Sequence, residues 1–271
     1  MFKKALCIGI NDYPYDGNDL NGCVNDAKAW AELLISKFKF PKTDVKLMFD
    51  AEATKAKIIA ALKNLLAGAK SGDVLVFTNS SHGTYVEDTS GDEEMYDEAL
   101  CPYDCGDNLI VDDELRGLFA NLGKGVSLTV ISDSCFSGSV TRAAVSEVIP
   151  GLKTPDDRKV RFLNPALMGR KLLENPWKAK PKGKIKYPES QMKDVLLSGC
   201  SDKEYSYDAR IGGVYHGAMT YFALKAIQEA NYQITFQQLH TRLLHLLDDA
   251  GYPQHPQLEG SKANKKKQVF E

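Results

Sequence analysis

The feature that most constrains the fold is a mostly apolar, β-branched run that ends in a small polar loop, Val126–Gly138 (VSLTVISDSCFSG). Its first part, Val126–Ile131, is typical of a strand buried inside a parallel sheet. The chain turns polar at Ser132, and the loop that follows carries Cys135. In an open α/β sheet the loops at the carboxyl ends of strands form the ligand crevice, so Cys135 is expected where chemistry is usually done.

A cysteine nucleophile needs a base, and His82 is the best candidate. It follows a second run of the same type, Asp73–Thr78, and precedes Cys135 by 53 residues. Considered alone, Cys135 would be better interpreted as a buried structural thiol, and His82 as an ordinary loop histidine. Placed together at two strand ends, they favour nucleophilic catalysis.

Strands alternate with amphipathic helices along most of the chain, which predicts an α/β fold with a mostly parallel sheet covered on both faces. The predicted strands and loops are Lys4–Ile10, Val45–Phe49, Leu109–Val111, Val195–Gly199 and an exposed hairpin or loop over Tyr85–Tyr96. The predicted helices are Asn25–Lys37, one capped by Thr54, one capped by Asp112, Ala218–Ala230 and one that Thr235 and Gln238 open through a capping box.

Composition excludes several classes of protein. The net charge of −2 gives no electrostatic case for nucleic-acid or membrane binding, and no apolar run approaches membrane-spanning length. The six cysteines are scattered in a chain without an export signal, so we expect reduced thiols and a cytoplasmic location. We expect a monomer with one domain, 1–271. A first part, 1–139, holds His82 and Cys135, a proline-rich loop or lid spans 140–190, and the sheet resumes in 191–271.

The order strand, Ser-x-His-Gly, strand, Asp-x-Cys-x-Ser-Gly resembles the metacaspases, which are relatives of the caspases. The closing segment His255–Gly260 (HPQLEG) is also similar to that family. The resemblance implies a caspase-like three-layer fold, with 1–139 as a large-subunit-like part and 191–271 as a small-subunit-like part. It also implies a cysteine endopeptidase. Cys135 would be the nucleophile and His82 its base, and the backbone N–H groups of Gly83 and Cys135 would hold the oxyanion.

Carboxylates indicate the specificity. Asp133 lies two residues before the nucleophile, and a carboxylate in a pocket selects a basic side chain. The resemblance adds Asp26, Cys23 and Ser80 to this pocket. A preference for aspartate would need arginines, and none precedes Arg116. The expected substrates are therefore polypeptides cleaved after Arg or Lys. Asp26 as a helix-start acid and Asp133 as a turn cap remain open alternatives.

Many metacaspases bind calcium through aspartates, and the resemblance places Asp97 and Asp112-Asp113 where such ligands lie. Arg142 stands where a further ligand is expected, and its charge would repel the metal. We therefore expect no required cofactor. Asp112-Asp113 as a plain helix cap is an equally good interpretation.

Two positions depart from the family pattern: Ser81 replaces a glycine before the histidine, and Phe136 replaces a histidine after the cysteine. They leave open an impaired, caspase-like binding protein. A serine hydrolase using Ser137 is disfavoured because the Gly-x-Ser-x-Gly elbow is missing. His216 is a rival base, but in the family it belongs to a structural segment.

An Arg- or Lys-specific peptidase could also cut its own long loop. The lysine-rich run Lys178–Lys186 lies in that loop, so we predict self-processing within Val140–Tyr187. The Lys-Pro bond at Lys180 should resist cleavage.

Overall fold

The computed structural model describes residues 1–87, 96–135, 158–170, 189–201 and 204–271. The strands are β1 (Lys3–Gly9), β2 (Val45–Phe49), β3 (Val74–Ser80), β4 (Gly83–Glu87), β5 (Tyr96–Leu100), β6 (Ile110–Val111), β7 (Ser127–Asp133), β8 (Lys159–Val160), β9 (Asp194–Ser198), β10 (Tyr207–Ile211), β11 (Val214–Gly217) and β12 (Gln257–Gly260). The helices are α1 (Cys23–Phe38), α2 (Lys55–Leu66), α3 (Asp112–Phe119), α4 (Ala218–Glu229), α5 (Phe236–Asp249) and α6 (Lys262–Lys265).

A six-stranded sheet has the order β12-β9-β7-β3-β1-β2. The strands from β9 to β2 are parallel, and β12 pairs with β9 in the antiparallel sense. Ser80 at the end of β3 is paired with Asp133 at the end of β7. The loops that carry His82 and Cys135 therefore leave the sheet side by side.

Helices cover both faces of this sheet. One apolar core joins it to α1, α4 and α5 through residues such as Trp30, Ala223 and Leu243, and the other joins it to α2 and α3 through residues such as Leu62 and Phe119. Burial of these two helix faces is the main stabilising contribution to the fold. The predicted α/β class, a mostly parallel sheet with helices on both faces, is confirmed.

Several predicted boundaries need correction. Strand β7 extends to Asp133, two residues past the predicted break, because it stays paired with β3 to its end. Thr54 is the N-cap residue of α2, as predicted, but its side chain makes no capping hydrogen bond. The Asp104 carboxylate accepts from the Lys55 N–H instead. Asp112 is the first residue of α3 rather than its cap. The Thr235 capping box is confirmed.

The long proline-rich loop is described only in part. Residues 158–170 include β8, which pairs with β10, while 136–157 and 171–188 lie outside the described residues, as do 88–95 of the predicted hairpin between β4 and β5. Across the described ranges, no helix combines the length and apolarity that a membrane crossing requires.

Candidate active site

The two predicted catalytic side chains follow neighbouring strands. His82 lies two residues after β3, and Cys135 lies two residues after β7. Both are buried, with 3% and 0% of their surfaces exposed. Parallel pairing of β3 and β7 thus brings the histidine and the cysteine to one edge of the sheet.

The His82 ring is fixed in one tautomer. Its Nε2 lies 2.7 Å from the carbonyl oxygen of Asn18, which can only accept, so Nε2 carries the hydrogen. Nδ1 therefore has the lone pair, and no group in the described part of the chain bonds to it. Burial lowers the pKa of His82 to about 4, so the ring is neutral at pH 7. Asn18 is a positioning group that the sequence did not reveal.

The Cys135 thiol is held as a hydrogen-bond donor. Its Sγ donates to the carbonyl oxygen of Glu204 at 3.1 Å, and Cys200 Sγ lies 3.7 Å away. While this bond persists, the thiol proton is directed at Glu204 rather than at a base. Catalysis requires the thiol to leave this partner.

The chain itself supplies an occupant for the predicted oxyanion site. The carbonyl oxygen of Arg161 accepts from the Gly83 N–H at 3.0 Å and from the Cys135 N–H at 3.1 Å. These are the two donors that the resemblance implied. The Arg161–Phe162 peptide bond therefore lies where a substrate carbonyl would be polarised.

The Arg161 side chain enters a pocket of three carboxylates. Its Nη2 lies 2.7 Å from Asp26 and 3.0 Å from Asp208, and its Nη1 lies 3.4 Å from Asp133 Oδ2 and donates to the Asp133 carbonyl oxygen. The guanidinium is completely buried. Asp26 and Asp133 were predicted for this pocket, whereas Asp208 was missed. Asp208 lies in β10, and no motif around it marked it as a pocket residue.

Gly217 leaves room for the arginine head. A Cβ atom at this position would collide with the Asp133 carboxylate and lie 2.5 Å from Arg161 Nη1. The Gly217 N–H also donates to Asp26. Any larger residue would close the pocket to a guanidinium.

The pocket charges interact strongly. Burial alone would lower the pKa of Arg161, but the surrounding carboxylates raise it well above its usual value. Burial raises the pKa of Asp26, and Arg161 and His216 oppose that rise. The Arg161 cation therefore favours the ionised form of the buried Asp26 carboxyl.

Other predicted residues lie around this site. Cys23 begins α1 as a buried thiol, and burial raises its pKa well above the usual range. Ser80 ends β3 and is buried. His216, the rival base of the sequence analysis, contacts the pocket acid Asp26 at 3.0 Å. Ser81 fits the site: its hydroxyl accepts from Asn79 and donates to the His82 carbonyl oxygen.

The calcium prediction concerns a different region. Asp97 lies in β5, and Asp112 and Asp113 begin α3. Burial, followed by neighbouring Asp113, raises the pKa of Asp112 to about 6. Among the described residues, no group of three or more His, Cys, Asp or Glu side chains is arranged so that it could hold a metal ion.

Some sequence predictions fall outside the described residues. These are Phe136, Ser137, Arg142 and the lysine-rich run Lys178–Lys186.

Comparison with protein families gives a consistent result. Residues 3–143 match the model of the metacaspase, peptidase C14 domain. Metacaspase-9 of Arabidopsis thaliana is 30% identical, covering 97% of this chain and 96% of that protein. Metacaspase-1A of Aspergillus oryzae is 33% identical, covering 96% of this chain and 68% of that protein.

Two solved structures are similar in fold to this chain. A Geobacter sulfurreducens protein superposes with a TM-score of 0.73 at 25% identity, covering 100% of this chain and 98% of the other. Caspase-1 of Spodoptera frugiperda superposes with a TM-score of 0.58 at 10% identity, covering 95% of this chain and 86% of the other. The second likeness supports the fold alone.

Proposed function

The chain belongs to the metacaspase family and is a cysteine-type peptidase acting on polypeptides; from this premise we propose that it is an endopeptidase that cleaves after Arg or Lys. Cys135 is the nucleophile and His82 the base in this proposal. The pocket of Asp26, Asp133 and Asp208 selects the basic side chain.

One observation carries the proposal: the chain's own Arg161 fills the site in the manner of a substrate. Its guanidinium lies among the three carboxylates, and its carbonyl oxygen accepts from both oxyanion donors. An arginine with only a structural role would need the contacts between its side chain and the carboxylates. It would not need its carbonyl oxygen on the oxyanion donors. Both together support recognition of arginine next to the bond that is cut.

The proposed reaction proceeds through a thioester. The Cys135 proton passes to His82 Nδ1, and the thiolate attacks the carbonyl carbon, whose oxyanion accepts from the Gly83 and Cys135 N–H groups. The C–N bond breaks as His82 returns the proton to the leaving amine. Water then gives a proton to His82 and attacks the thioester. The C–S bond breaks, and His82 returns its proton to the sulfur to restore the thiol. The new carboxylic acid loses its proton to solvent as it leaves.

The same activity acts on the chain itself in this proposal. The Arg161–Phe162 bond lies within the loop Val140–Tyr187 for which self-processing is predicted, and it is the bond that the site holds. Cleavage there gives fragments 1–161 and 162–271. In the uncut chain the segment competes with other substrates for the pocket.

The proposal is tested with matched fluorogenic peptides that end in Arg, Lys or Asp, with and without calcium. Wild type should cleave the Arg and Lys peptides but not the Asp peptide. Cys135→Ala should lose this activity, and Cys7→Ala, which removes a buried thiol inside β1, should keep it.

Two outcomes contradict the proposal. Cleavage after Asp would mean that the acidic pocket does not choose the substrate. If the protein cleaves none of the peptides even after it has been incubated so that it can process itself, the alternative of an impaired, caspase-like binding protein is favoured.

Activity without calcium would support the expectation that no cofactor is required. Cytoplasmic location and a monomeric state remain part of the proposal.

A further inference from the structure

The segment around Arg161 crosses the site as an extended strand on both sides of the candidate bond. Before the bond, Val160 and Lys159 pair with β10, and the Arg161 N–H donates to the Ser206 carbonyl oxygen at 2.9 Å. After it, the Leu163 N–H donates to the Gly83 carbonyl oxygen at 2.9 Å. The contacts of the flanking side chains therefore show which protein residues a substrate side chain would contact at each position.

The fourth residue before the bond, the P4 position in peptidase nomenclature, is Arg158. Its guanidinium carbon lies 4.1 Å from the centre of the Tyr252 ring, and Nη1 donates to the Gly251 carbonyl oxygen at 3.1 Å. A cation over an aromatic face with a carbonyl acceptor beside it is a cation site. None of the sequence predictions pointed to it.

The Tyr252 ring is held in place from behind. Phe222 packs against it at 5.8 Å and Tyr207 at 6.2 Å between ring centres. Only 8% of Tyr252 is exposed. The ring is thus a prearranged surface, and binding a cation there does not require it to be ordered first.

The intervening positions offer less discrimination. Lys159 is exposed, and its Nζ donates to the main-chain oxygen of Asp19. Val160 is half-buried. After the bond, the Phe162 ring stacks on Tyr85 at 6.0 Å, and Leu163 is completely buried in the second core.

We propose that Tyr252 is a further specificity-determining residue, and that the enzyme prefers substrates of the form Arg-x-x-Arg, with the second arginine at the cut. The first arginine lies on the Tyr252 ring and the second enters the acidic pocket. This inference rests on the proposed function and adds a second basic position to it.

The test uses internally quenched peptides built on Arg-Lys-Val-Arg-Phe-Leu, the sequence of residues 158–163. A partner peptide has Ala in place of the first Arg. In wild type, kcat/KM for cutting the Arg-Phe bond should be about fivefold higher in the Arg peptide than in the Ala peptide, as a cation–π contact at a partly exposed site implies.

Variants of Tyr252 test whether its aromatic ring causes the difference in kcat/KM between the two peptides. Tyr252→Leu, which keeps an apolar side chain without an aromatic face, should reduce the ratio to about one. Tyr252→Phe, which keeps the face, should retain it. Because the two peptides are compared on one enzyme preparation, any general loss of activity cancels.

The outcomes separate the two proposals. Equal cleavage of both peptides by wild type, or a ratio that survives in Tyr252→Leu, overturns the role of Tyr252 and leaves cleavage after Arg intact. Failure to cleave either peptide contradicts the proposed function itself.

Discussion

The carboxylates around Arg161 are each held by groups other than the arginine. Asp26 accepts a hydrogen bond from the Gly217 N–H, and Asp133 accepts one from the Thr220 N–H. Asp208 accepts from the N–H groups of the two residues that precede α1. These bonds fix the carboxylates before a substrate arrives. The pocket is therefore prearranged for a planar cation that meets several oxygens at once.

Asp208 tests whether the carboxylate that the sequence did not reveal contributes to binding. Asp208→Asn should lower kcat/KM for Arg peptides about thirtyfold, since removing one partner of a buried charge pair costs about 2 kcal/mol or more. Exposed Asp248→Asn is the matched control and should change little. Unchanged kinetics in Asp208→Asn would exclude a role in the pocket. Peptide hydrolysis at several substrate concentrations measures both.

Asp26 predicts the pH dependence of cleavage. It must be ionised to bind a cation, and burial raises its pKa, so protonation begins at a higher pH than for an ordinary aspartate. The value of kcat/KM should therefore fall as the pH is lowered through the range in which Asp26 takes up its proton. His82, with a pKa of about 4 in the uncut chain, stays neutral over most of it. A profile flat down to pH 4 would contradict this account.

Arg161 also predicts a pH-dependent stability. Arg161→Gln leaves buried carboxylates without their cation and should lower the free energy of unfolding at pH 7 by up to about 3 kcal/mol. Burial raises the pKa of folded Asp26 and Arg161 opposes that rise, so the Arg161→Gln change should raise this pKa further. Protonation then stabilises the folded variant more than the folded wild type as pH falls, and the deficit should shrink at lower pH. Urea unfolding at pH 7 and pH 5 measures it. A deficit that grows toward pH 5 would contradict the sign.

At the scale of elements, β8 leads the chain to the candidate nucleophile. It pairs with β10, and the residue that follows it, Arg161, accepts a hydrogen bond from the N–H of Cys135, which is completely buried. In an uncut His82→Ala background, Arg161→Gln should speed alkylation of Cys135 by iodoacetamide relative to Arg161→Lys. Peptide mass mapping follows the reaction at this one cysteine. Equal rates would mean that the segment does not shield the thiol.

The sequence predicted the strands that carry His82 and Cys135 because buried parallel strands have a clear apolar pattern. It did not predict β8 or the role of Arg161. The placement of Arg161 depends on contacts with Asp26 and Asp208, which are distant in the chain, and no local periodicity encodes such contacts.

At the scale of the whole molecule, the two parts of the chain share one sheet and both cores. Strand β9, from the second part, pairs with β7 of the first, and α4 and α5 share a core with α1. The cut products 1–161 and 162–271 should therefore elute together in size-exclusion chromatography without denaturant. Separation of the fragments under these conditions would contradict the shared core.

The most direct measurement is the intact mass of purified protein during incubation. Wild type and Arg161→Lys should convert to two fragments that meet between residues 161 and 162, because both present a basic residue to the pocket. Arg161→Gln and Cys135→Ala should keep this bond intact. A wild-type chain that cleaves added Arg peptides but leaves the Arg161–Phe162 bond whole would contradict the claim that the site holds its own substrate.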